Sequence, residues 1–293
     1  ETNSLGCDSS ATFAVNVGLT SVPQLNGPNT ACAYSTSNYY TPVWANTTYT
    51  WNVIGGTITS NTGPAITVTW NPVASGLITL VATNASGCDS VVTQNVTIRP
   101  TPVPVISGAT ANCTQTIDVY SVVNPTSNTF AWTVVGGNIL GPSNQTSITV
   151  NWTTPGLGRV SVTETNSMGC DSTAFVDVTI NAKPWPVLSG NPAVCEMDTA
   201  TYSVPYVAGD NYIWNVVGGG IIGFTVNNSI DVQWYTPGTG SVSCRQVSPN
   251  GCDWLVDMNV LINGRPSPYI TGPAMACQNL NYNYSVVPVN GNL

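Results

Sequence analysis

The sequence predicts an all-β protein built from tandem β-sandwiches, with about seven strands and about 82 residues in each repeat. Three observations support this fold class. Several residue types recur with one shared period of 81 or 82 residues. Valine, isoleucine, threonine, tyrosine and tryptophan dominate segments in which apolar and polar residues alternate. Turn-forming residues separate these segments roughly every 8–12 positions, as in sandwiches and barrels.

Four series of residues define the repeat. The segment YTWNVIGG around Trp51 recurs around Trp132 and Trp214, and a second tryptophan series consists of Trp70, Trp152 and Trp234. Gly-Cys-Asp steps contain Cys7, Cys88, Cys170 and Cys252. The fourth series is Cys32, Cys113, Cys195 and Cys277, each followed seven residues later by a tyrosine. Because chance does not give several residue types one period, each series marks one equivalent position in successive units.

Proline-rich stretches such as Pro100–Pro104 open the units and predict the domain boundaries. Residues 21–101, 102–183 and 184–265 are the three expected complete repeats. Residues 1–20 match only the end of a repeat, and residues 266–293 match only the start of one. We therefore expect the chain to be a segment of a longer array.

Within a unit, the alternation predicts half-buried strands. Tyr49, Trp51 and Val53 alternate with polar residues, and so do Val68 and Trp70. About seven such strands fit into one repeat, which matches a small immunoglobulin-like sandwich with Trp51 as its buried strand-C tryptophan. The predicted core residues are Trp51, Trp132, Trp214, Trp70, Trp152 and Trp234. A domain this small is helped by disulfides.

The composition argues against several classes of function. Only 6% of residues are charged, the net charge is −8, histidine is absent and lysine plus arginine total 5. Nucleic acid and anionic membrane surfaces need clustered basic residues, and no apolar run approaches the roughly 20 residues of a membrane helix. A histidine-based triad or zinc site is excluded, and no paired carboxylates recur in each unit. We expect neither enzymatic activity nor a cofactor, nucleic-acid partner or membrane insertion.

One succession of segments resembles a known family. SGNPAVC, YSV, YIWNVVGG, SIDVQW, GTGSVSC and PNGC are similar to the PKD-like, Ig-like tandem repeats of Bacteroidota surface proteins. The resemblance covers the whole chain. It implies a non-catalytic stalk segment of an extracellular, adhesin-like protein exported by type IX secretion. Neighbouring repeats of the same longer chain would then be its partners.

Nine cysteines without histidine, and without the close pairs of a zinc site, indicate an oxidising compartment. In a sandwich, the first cysteine of a repeat and its Gly-Cys-Asp cysteine lie at opposite poles. A strand of ten residues spans about 33 Å, whereas bonded cysteines have Cα atoms within about 7 Å. This favours staggered pairs between adjacent repeats, Cys32–Cys170 and Cys113–Cys252. Cys7, Cys88, Cys195 and Cys277 would then pair with flanking repeats. Pairing within a repeat, such as Cys113–Cys170, and free or 25-spaced cysteines stay open.

Cys244 is the ninth cysteine and belongs to neither series. It lies eight residues before Cys252, where the other repeats have Leu80 and Val162. This inward-facing position predicts a buried free thiol that packs as a small apolar group. A reactive or interchain cysteine is the alternative.

The aspartate after each Gly-Cys step has three interpretations. It caps a turn, or it binds calcium at a domain junction, although only 13 acidic residues are available. The third interpretation comes from the family resemblance, which implies O-glycans at Asp-Ser/Thr steps. It points to Ser90, Ser172 and Thr199, and less strongly to Ser9.

These observations favour a structural spacer. The alternatives are a carbohydrate- or surface-binding module with exposed aromatic residues, and a subunit that associates laterally into filaments through free β edges. Trp44, Trp185 and Trp254 lie outside the core series and do not recur, which argues against a repeated sugar-binding site.

Overall fold

The structure is a computed structural model and describes residues 1–15, 22–125 and 127–287. Within these ranges all regular secondary structure is β, in 24 strands without a helix. The predicted all-β fold class is confirmed. The expected boundary between residues 20 and 21 lies outside the described residues, as does the end of the last partial unit.

Repeat 1 is a two-layer sandwich of seven strands. They are β1 Thr30–Cys32, β2 Thr36–Tyr40, β3 Thr48–Ile54, β4 Gly56–Asn61, β5 Ala65–Trp70, β6 Ser75–Thr83 and β7 Asp89–Arg99. One sheet has the order β1-β7-β6-β3, and the other has the order β2-β5-β4. Strand β1 runs parallel to β7, whereas the other pairs are antiparallel. This is the arrangement of an immunoglobulin-like sandwich.

Repeat 2 has the same sheets with one added edge strand. Its strands are β8 Ile106–Ser107, β9 Ala111–Cys113, β10 Ile117–Val122, β11 Thr129–Val135, β12 Gly137–Leu140, β13 Ser147–Trp152, β14 Gly156–Thr165 and β15 Asp171–Asn181. The sheets are β11-β14-β15-β9 and β12-β13-β10-β8. In repeats 1 and 3 the place of β8 is taken by a single bridge, Asn26 to Tyr40 and Ser189 to Ser203.

Repeat 3 returns to seven strands. They are β16 Ala193–Cys195, β17 Thr199–Ser203, β18 Asn211–Val217, β19 Gly219–Ile222, β20 Ser229–Trp234, β21 Gly238–Val247 and β22 Asp253–Asn263. They form sheets β16-β22-β21-β18 and β17-β20-β19. A short hairpin of β23 Tyr269–Thr271 and β24 Ser285–Val287 follows.

Each repeat has its own core, centred on its tryptophan of the second series. Trp70, Trp152 and Trp234 are fully buried, and the first-series tryptophans Trp51, Trp132 and Trp214 are 4–8% exposed. The first series also makes one repeated bond, because each indole Nε1 donates to a loop carbonyl, of Gly63, Gln145 and Asn227, at 2.7–2.8 Å. Burial of these rings drives the closure of the two sheets.

A buried tyrosine completes each core. The rings of Tyr39, Tyr120 and Tyr202 meet the second-series tryptophans edge-to-face, with centroids 5.9–6.0 Å apart. Each hydroxyl donates to a carbonyl eleven residues upstream, at 2.8–3.0 Å. Burial raises the pKa of all three phenols.

A glycine lies against each of these tyrosine rings. A Cβ added at Gly108 or Gly190 would meet the ring at 2.1 Å, and one at Gly27 at 2.2 Å. Such contacts are far inside van der Waals distance, so the position requires glycine.

Gly190→Ala is therefore expected to destabilise repeat 3. The added methyl group would overlap Tyr202, and we expect the free energy of unfolding to fall by about 1–3 kcal/mol, the range of overpacked cores. Urea denaturation followed by tryptophan fluorescence measures the change. Gly264→Ala is the matched control, because its Cβ would meet only Pro237, at 3.7 Å. Equal stability of the two variants would contradict the prediction.

Candidate functional site

The structure brings its chemically distinctive residues together at the two junctions between repeats. Each junction is formed by a cysteine turn of one repeat and a Gly-Cys-Asp hairpin of the next. We call residues 32–35, 113–116 and 195–198 the cysteine turns. The Gly-Cys-Asp hairpins are residues 84–88, 166–170 and 248–252, with a fourth at residues 3–7.

The cysteine turns are tied to the core from which they emerge. The residue two after the cysteine, Tyr34, Gln115 or Met197, has a positive φ of 61–68°. Its backbone N–H donates to the carbonyl of the fully buried tryptophan of the same repeat at 2.6–2.8 Å. The acceptors are, in order, Trp70, Trp152 and Trp234. A non-glycine residue in this conformation is uncommon. The tryptophan carbonyl thus holds the turn and fixes the position of the cysteine before it.

The Gly-Cys-Asp hairpins share one hydrogen-bond pattern. The Oδ1 of Asn84 accepts from the backbone N–H groups of Ser86 and Cys88 at 2.9–3.0 Å. Asn3 and Asn166 make the same bonds in their hairpins. In repeat 3 this asparagine is replaced by Ser248, whose backbone N–H donates to the carbonyl of Cys252 at 2.8 Å, as the asparagines also do to their cysteines. Glycines with φ of 76–81° complete the turns. The hairpin is therefore built locally and needs no neighbour to form.

Two disulfides join the turns of one repeat to the hairpin of the next. Cys32 is bonded to Cys170 with a Cα separation of 5.6 Å, and Cys113 is bonded to Cys252 with a Cα separation of 5.7 Å. Cys170 and Cys252 are 0–1% exposed. Both bonds follow the staggered scheme, so each links adjacent sandwiches.

Noncovalent contacts at the first junction surround the disulfide. Arg99, at the end of β7, donates from its guanidinium to the carbonyl of Met168, at 2.8 Å. Asn166 donates from its side-chain amide to the carbonyl of Pro100, also at 2.8 Å. The hairpin of repeat 2 is thus held against the linker that leaves repeat 1.

The second junction uses aromatic packing in place of these hydrogen bonds. The rings of Trp185 in the linker and Trp254 in β22 lie 4.6 Å apart, tilted by 35°. The Lys183 ammonium lies 5.6 Å from the Trp254 ring centroid, within cation–π range. Neither tryptophan recurs with the repeat, so no spacing in the sequence predicts this contact.

The other five cysteines are unpaired in the described residues. Cys7, Cys195 and Cys277 are exposed, and Cys88 is half-buried. Cys244 is completely buried in the core of repeat 3, opposite Trp214 in the sheet register. Burial raises the pKa of its thiol to about 11, so near neutral pH it is a protonated, apolar group.

The aspartates after the Gly-Cys steps make local contacts. Asp8 accepts from the Thr2 hydroxyl at 2.5 Å, and Asp89 accepts from Thr83 at 2.6 Å. Asp253 pairs with Arg245 at 2.7 Å, and that hydrogen bond lowers the pKa of the carboxyl group. Among the residues that the structure describes, no group of three or more cysteine, aspartate or glutamate side chains is placed to hold a metal ion.

The residues expected to carry O-glycans lie at the surface to different extents. Thr199 and Ser9 are exposed, whereas Ser90 and Ser172 are half-buried near the start of β7 and β15. Glycosylation of these four residues stays a prediction.

The described residues include no helix long and apolar enough to cross a lipid bilayer.

The sheets and junctions define a tandem array of immunoglobulin-like sandwiches. The sequence profile of the PKD-like domain matches residues 19–98 and 99–180, which together exceed half of the chain. The chain belongs to the PKD-like domain family. Its third sandwich lies outside the matched segments and has the same strand order.

Known structures with similar folds are only distantly similar. The chain is 9% identical to the human desmocollin-1 ectodomain over 84% of its own length and 60% of that ectodomain, with a TM-score of 0.24. The chain is 10% identical to SGBP-B of the Bacteroides ovatus mixed-linkage glucan utilization locus over 91% of its own length and 72% of that protein, with a TM-score of 0.22. The chain is 12% identical to the N-terminal eight Ig domains of Down Syndrome Cell Adhesion Molecule over 84% of its own length and 37% of that structure, with a TM-score of 0.35. Likeness at this level carries no information on function. No curated protein matches the chain.

Non-reducing peptide mapping is expected to recover peptides that link Cys32 with Cys170 and Cys113 with Cys252. The reason is that each of these pairs joins the cysteine turn where the chain leaves one sandwich to the Gly-Cys-Asp hairpin at the near end of the next sandwich. Mass spectrometry before and after reduction identifies the linked peptides. Recovery of a Cys113–Cys170 peptide from native protein would contradict the staggered arrangement.

Cys244 is expected to resist alkylation in the native protein. Its pKa is raised, so the reactive thiolate forms only as the pH approaches about 11, and the side chain is enclosed. Iodoacetamide at pH 8 should modify exposed Cys195, the internal control, and leave Cys244 unmodified until denaturant is added. Equal labelling of both residues in native protein would show that the core of repeat 3 opens readily.

Proposed function

We propose that the chain is a structural spacer, a stalk segment of a large extracellular cell-surface protein that holds another domain away from the cell. Membership of the PKD-like family and the immunoglobulin-like architecture support a structural or binding module. The observation that carries the finer proposal is that both disulfides connect adjacent repeats. Bonds placed there add little to the fold of a single sandwich and instead tether each sandwich to the next.

The two covalent loops overlap. Cys113 lies inside the loop closed by Cys32 and Cys170, and Cys170 lies inside the loop closed by Cys113 and Cys252. The shortest covalent path between the chain ends crosses from Cys32 to Cys170, runs back to Cys113 and crosses to Cys252. Tension applied at the ends therefore passes through both disulfides. This suits a segment that bears load.

The proposed location outside the cell rests on the disulfides and the composition. Disulfides persist in oxidising compartments, and the scarcity of basic residues offers no surface for nucleic acid. The sequence resemblance supports a parent protein from Bacteroidota, adhesin-like and exported by type IX secretion. We keep the repeat limits 21–101, 102–183 and 184–265 as part of this proposal.

A binding module is less well supported than a spacer. Trp185 is the most exposed of the non-core tryptophans at 66%, yet one face of its ring is already packed on Trp254. That contact stabilises a junction, which is what a spacer requires. Lateral association into filaments would use the outer edges of β3, β11 and β18, which have no strand neighbour on one side within the described residues.

Single-molecule stretching tests the spacer proposal through its contour lengths. With both disulfides intact, roughly 130 residues remain in the shortest covalent path and reach about 450 Å, against about 1000 Å for the reduced chain. Because the loops overlap, Cys32→Ser or Cys113→Ser alone should lengthen the path by only about 80–90 Å. Loss of both bonds should add more than 500 Å.

Cys195→Ser is the control for this experiment, since it removes a thiol without removing a disulfide. Its contour length should equal that of the unmodified oxidised chain. Equal contour lengths and unfolding forces with and without reductant would show that the disulfides bear no load, and the spacer proposal would lose its main support.

A further inference from the structure

A cleft lies at the second junction, between the linker that enters repeat 3 and the loop that joins β17 to β18. Pro184, Trp185 and Pro186 form its linker side, and Pro205 and Val207 form its loop side. The cleft has a volume of about 240 Å³, which is below the range of pockets for drug-sized ligands. It therefore suits a single small ring.

Trp185 supplies a fixed aromatic surface to the cleft. One face of its ring packs on Trp254, with the centroids 4.6 Å apart, yet the residue is 66% exposed, so the other face is open. The linker beside it is held as well, because the backbone N–H of Lys183 donates to the hydroxyl of Thr114 in repeat 2 at 3.0 Å. The orientation of the indole is thus set before a ligand arrives.

The loop side of the cleft is held by one hydroxyl group. The phenol of Tyr212 accepts from the backbone N–H of Val207 at 2.7 Å and donates to the carbonyls of Pro205 and Val207 at 3.4 Å. Repeat 2 has Phe130 at the position of Tyr212, and a phenyl ring cannot make these bonds. Both sides of the cleft are therefore preformed in repeat 3.

Two side chains of opposite charge, Lys183 and Asp210, also line the cleft. One carboxylate oxygen of Asp210 accepts from the buried Gln246 at 2.5 Å, and the other accepts no hydrogen bond from the described residues. The Lys183 ammonium lies over the Trp254 ring and forms no salt bridge within the described part of the chain. The lining thus offers an acceptor and several donors with no net charge.

This combination is specific to the entry of repeat 3. The positions of Lys183, Trp185 and Asp210 are occupied in repeat 2 by Thr101, Val103 and Asn128. Repeat 2 therefore has neither the indole nor the two charges at these positions.

We propose that the cleft binds one ring of a neutral glycan, a role beyond that of a spacer and independent of it. A pyranose ring has C–H groups on its faces, which pack on the indole face, and hydroxyl groups at its rim, which both donate and accept. Asp210 accepts hydrogen bonds from these hydroxyl groups, and Lys183 donates to them.

Other ligand classes fit the cleft less well. An anionic ligand meets the carboxylate of Asp210, and a cationic ligand meets the ammonium of Lys183, so each faces one like charge. Proline-rich peptides also bind aromatic grooves, but they lack the backbone N–H donors that the free carboxylate oxygen requires. A neutral, hydroxyl-rich ring satisfies all three groups.

Calorimetric titration of the full oxidised chain tests the proposal with cellohexaose, mannohexaose and laminarihexaose as neutral probes. We expect at least one to bind with a dissociation constant of about 0.1–1 mM, because a small cleft contacts only one ring. Salt should leave this affinity unchanged, since the ligand carries no charge. Absence of binding for every neutral probe at about 10 mM would overturn the proposal. Tighter binding of oligogalacturonate, chitosan oligosaccharide or decaproline would overturn it as well.

Substitutions at the cleft locate the site. Trp185→Val installs the residue of repeat 2 and should weaken binding about tenfold or more, whereas Trp185→Tyr keeps an aromatic face and should retain the affinity within about threefold. Asp210→Asn should weaken binding about fivefold, because it replaces a charged acceptor by an amide. Trp44→Ala is the matched control, since it removes a non-core tryptophan of repeat 1, and it should leave binding unchanged.

Two outcomes of this series would contradict the site: undiminished binding by Trp185→Val, or an equal loss in Trp44→Ala. Peptide mapping of the Cys113–Cys252 disulfide verifies that the junction is intact in each variant. The stretching lengths described above depend only on the disulfides, so failure to bind glycans with those lengths unchanged leaves the spacer proposal standing.

Discussion

The packing of one fully buried tryptophan in each repeat supports the rest of the molecule. Trp70, Trp152 and Trp234 fill the space between the two sheets, each against a tyrosine ring. The backbone carbonyl of the same tryptophan accepts the N–H that holds the adjacent cysteine turn. Core packing and cysteine placement are therefore parts of one arrangement. When a sandwich closes, the cysteine of its cysteine turn is therefore placed at the end where the chain leaves the sandwich.

The two junctions separate what is constant from what varies. The disulfide and its two turns are the same at both, whereas the contacts around them are hydrogen bonds from Arg99 and Asn166 at one and the Trp185–Trp254 pair at the other. Covalent attachment is thus the repeated element, and the linker sequence adjusts the remaining contacts. This explains why linkers can differ in sequence without loss of the staggered connection.

The fold class could be predicted from the sequence because it depends on features with a period. The tryptophan and cysteine series mark equivalent positions, and the alternation around Trp51 indicates a half-buried strand. The sequence favours the staggered disulfides through the length of the strands but leaves pairing within a repeat open, since only the three-dimensional contact between poles distinguishes Cys32–Cys170 from Cys113–Cys170. Gly108 and Gly190 do recur with the period, but their requirement becomes visible only when the tyrosine rings lie against them.

Contacts without a period could not be predicted. Trp185 and Trp254 occur once each, so spacing does not connect them. A buried amide–carboxylate bond shows a second reason. Asn128 donates to Glu164 in repeat 2 at 2.7 Å, and Gln246 donates to Asp210 in repeat 3 at 2.5 Å, so amide and acid have exchanged their equivalent positions. The amide–carboxylate hydrogen bond is retained although each of the two positions holds an amide in one repeat and an acid in the other. Aligning the two repeats residue by residue therefore shows no conserved residue at either position.

The overlap of the two disulfide loops also determines what a protease can do to this chain. Every peptide bond between Cys32 and Cys252 lies inside at least one of the loops, and those between Cys113 and Cys170 lie inside both. A single cut anywhere in that range leaves all the residues covalently attached. Even two cuts, one between residues 33 and 112 and one between residues 171 and 251, release no fragment, because the middle piece keeps Cys113 and Cys170. Between Cys32 and Cys252, one or two cuts by a protease therefore leave the two ends of the segment covalently connected unless the disulfides are also reduced.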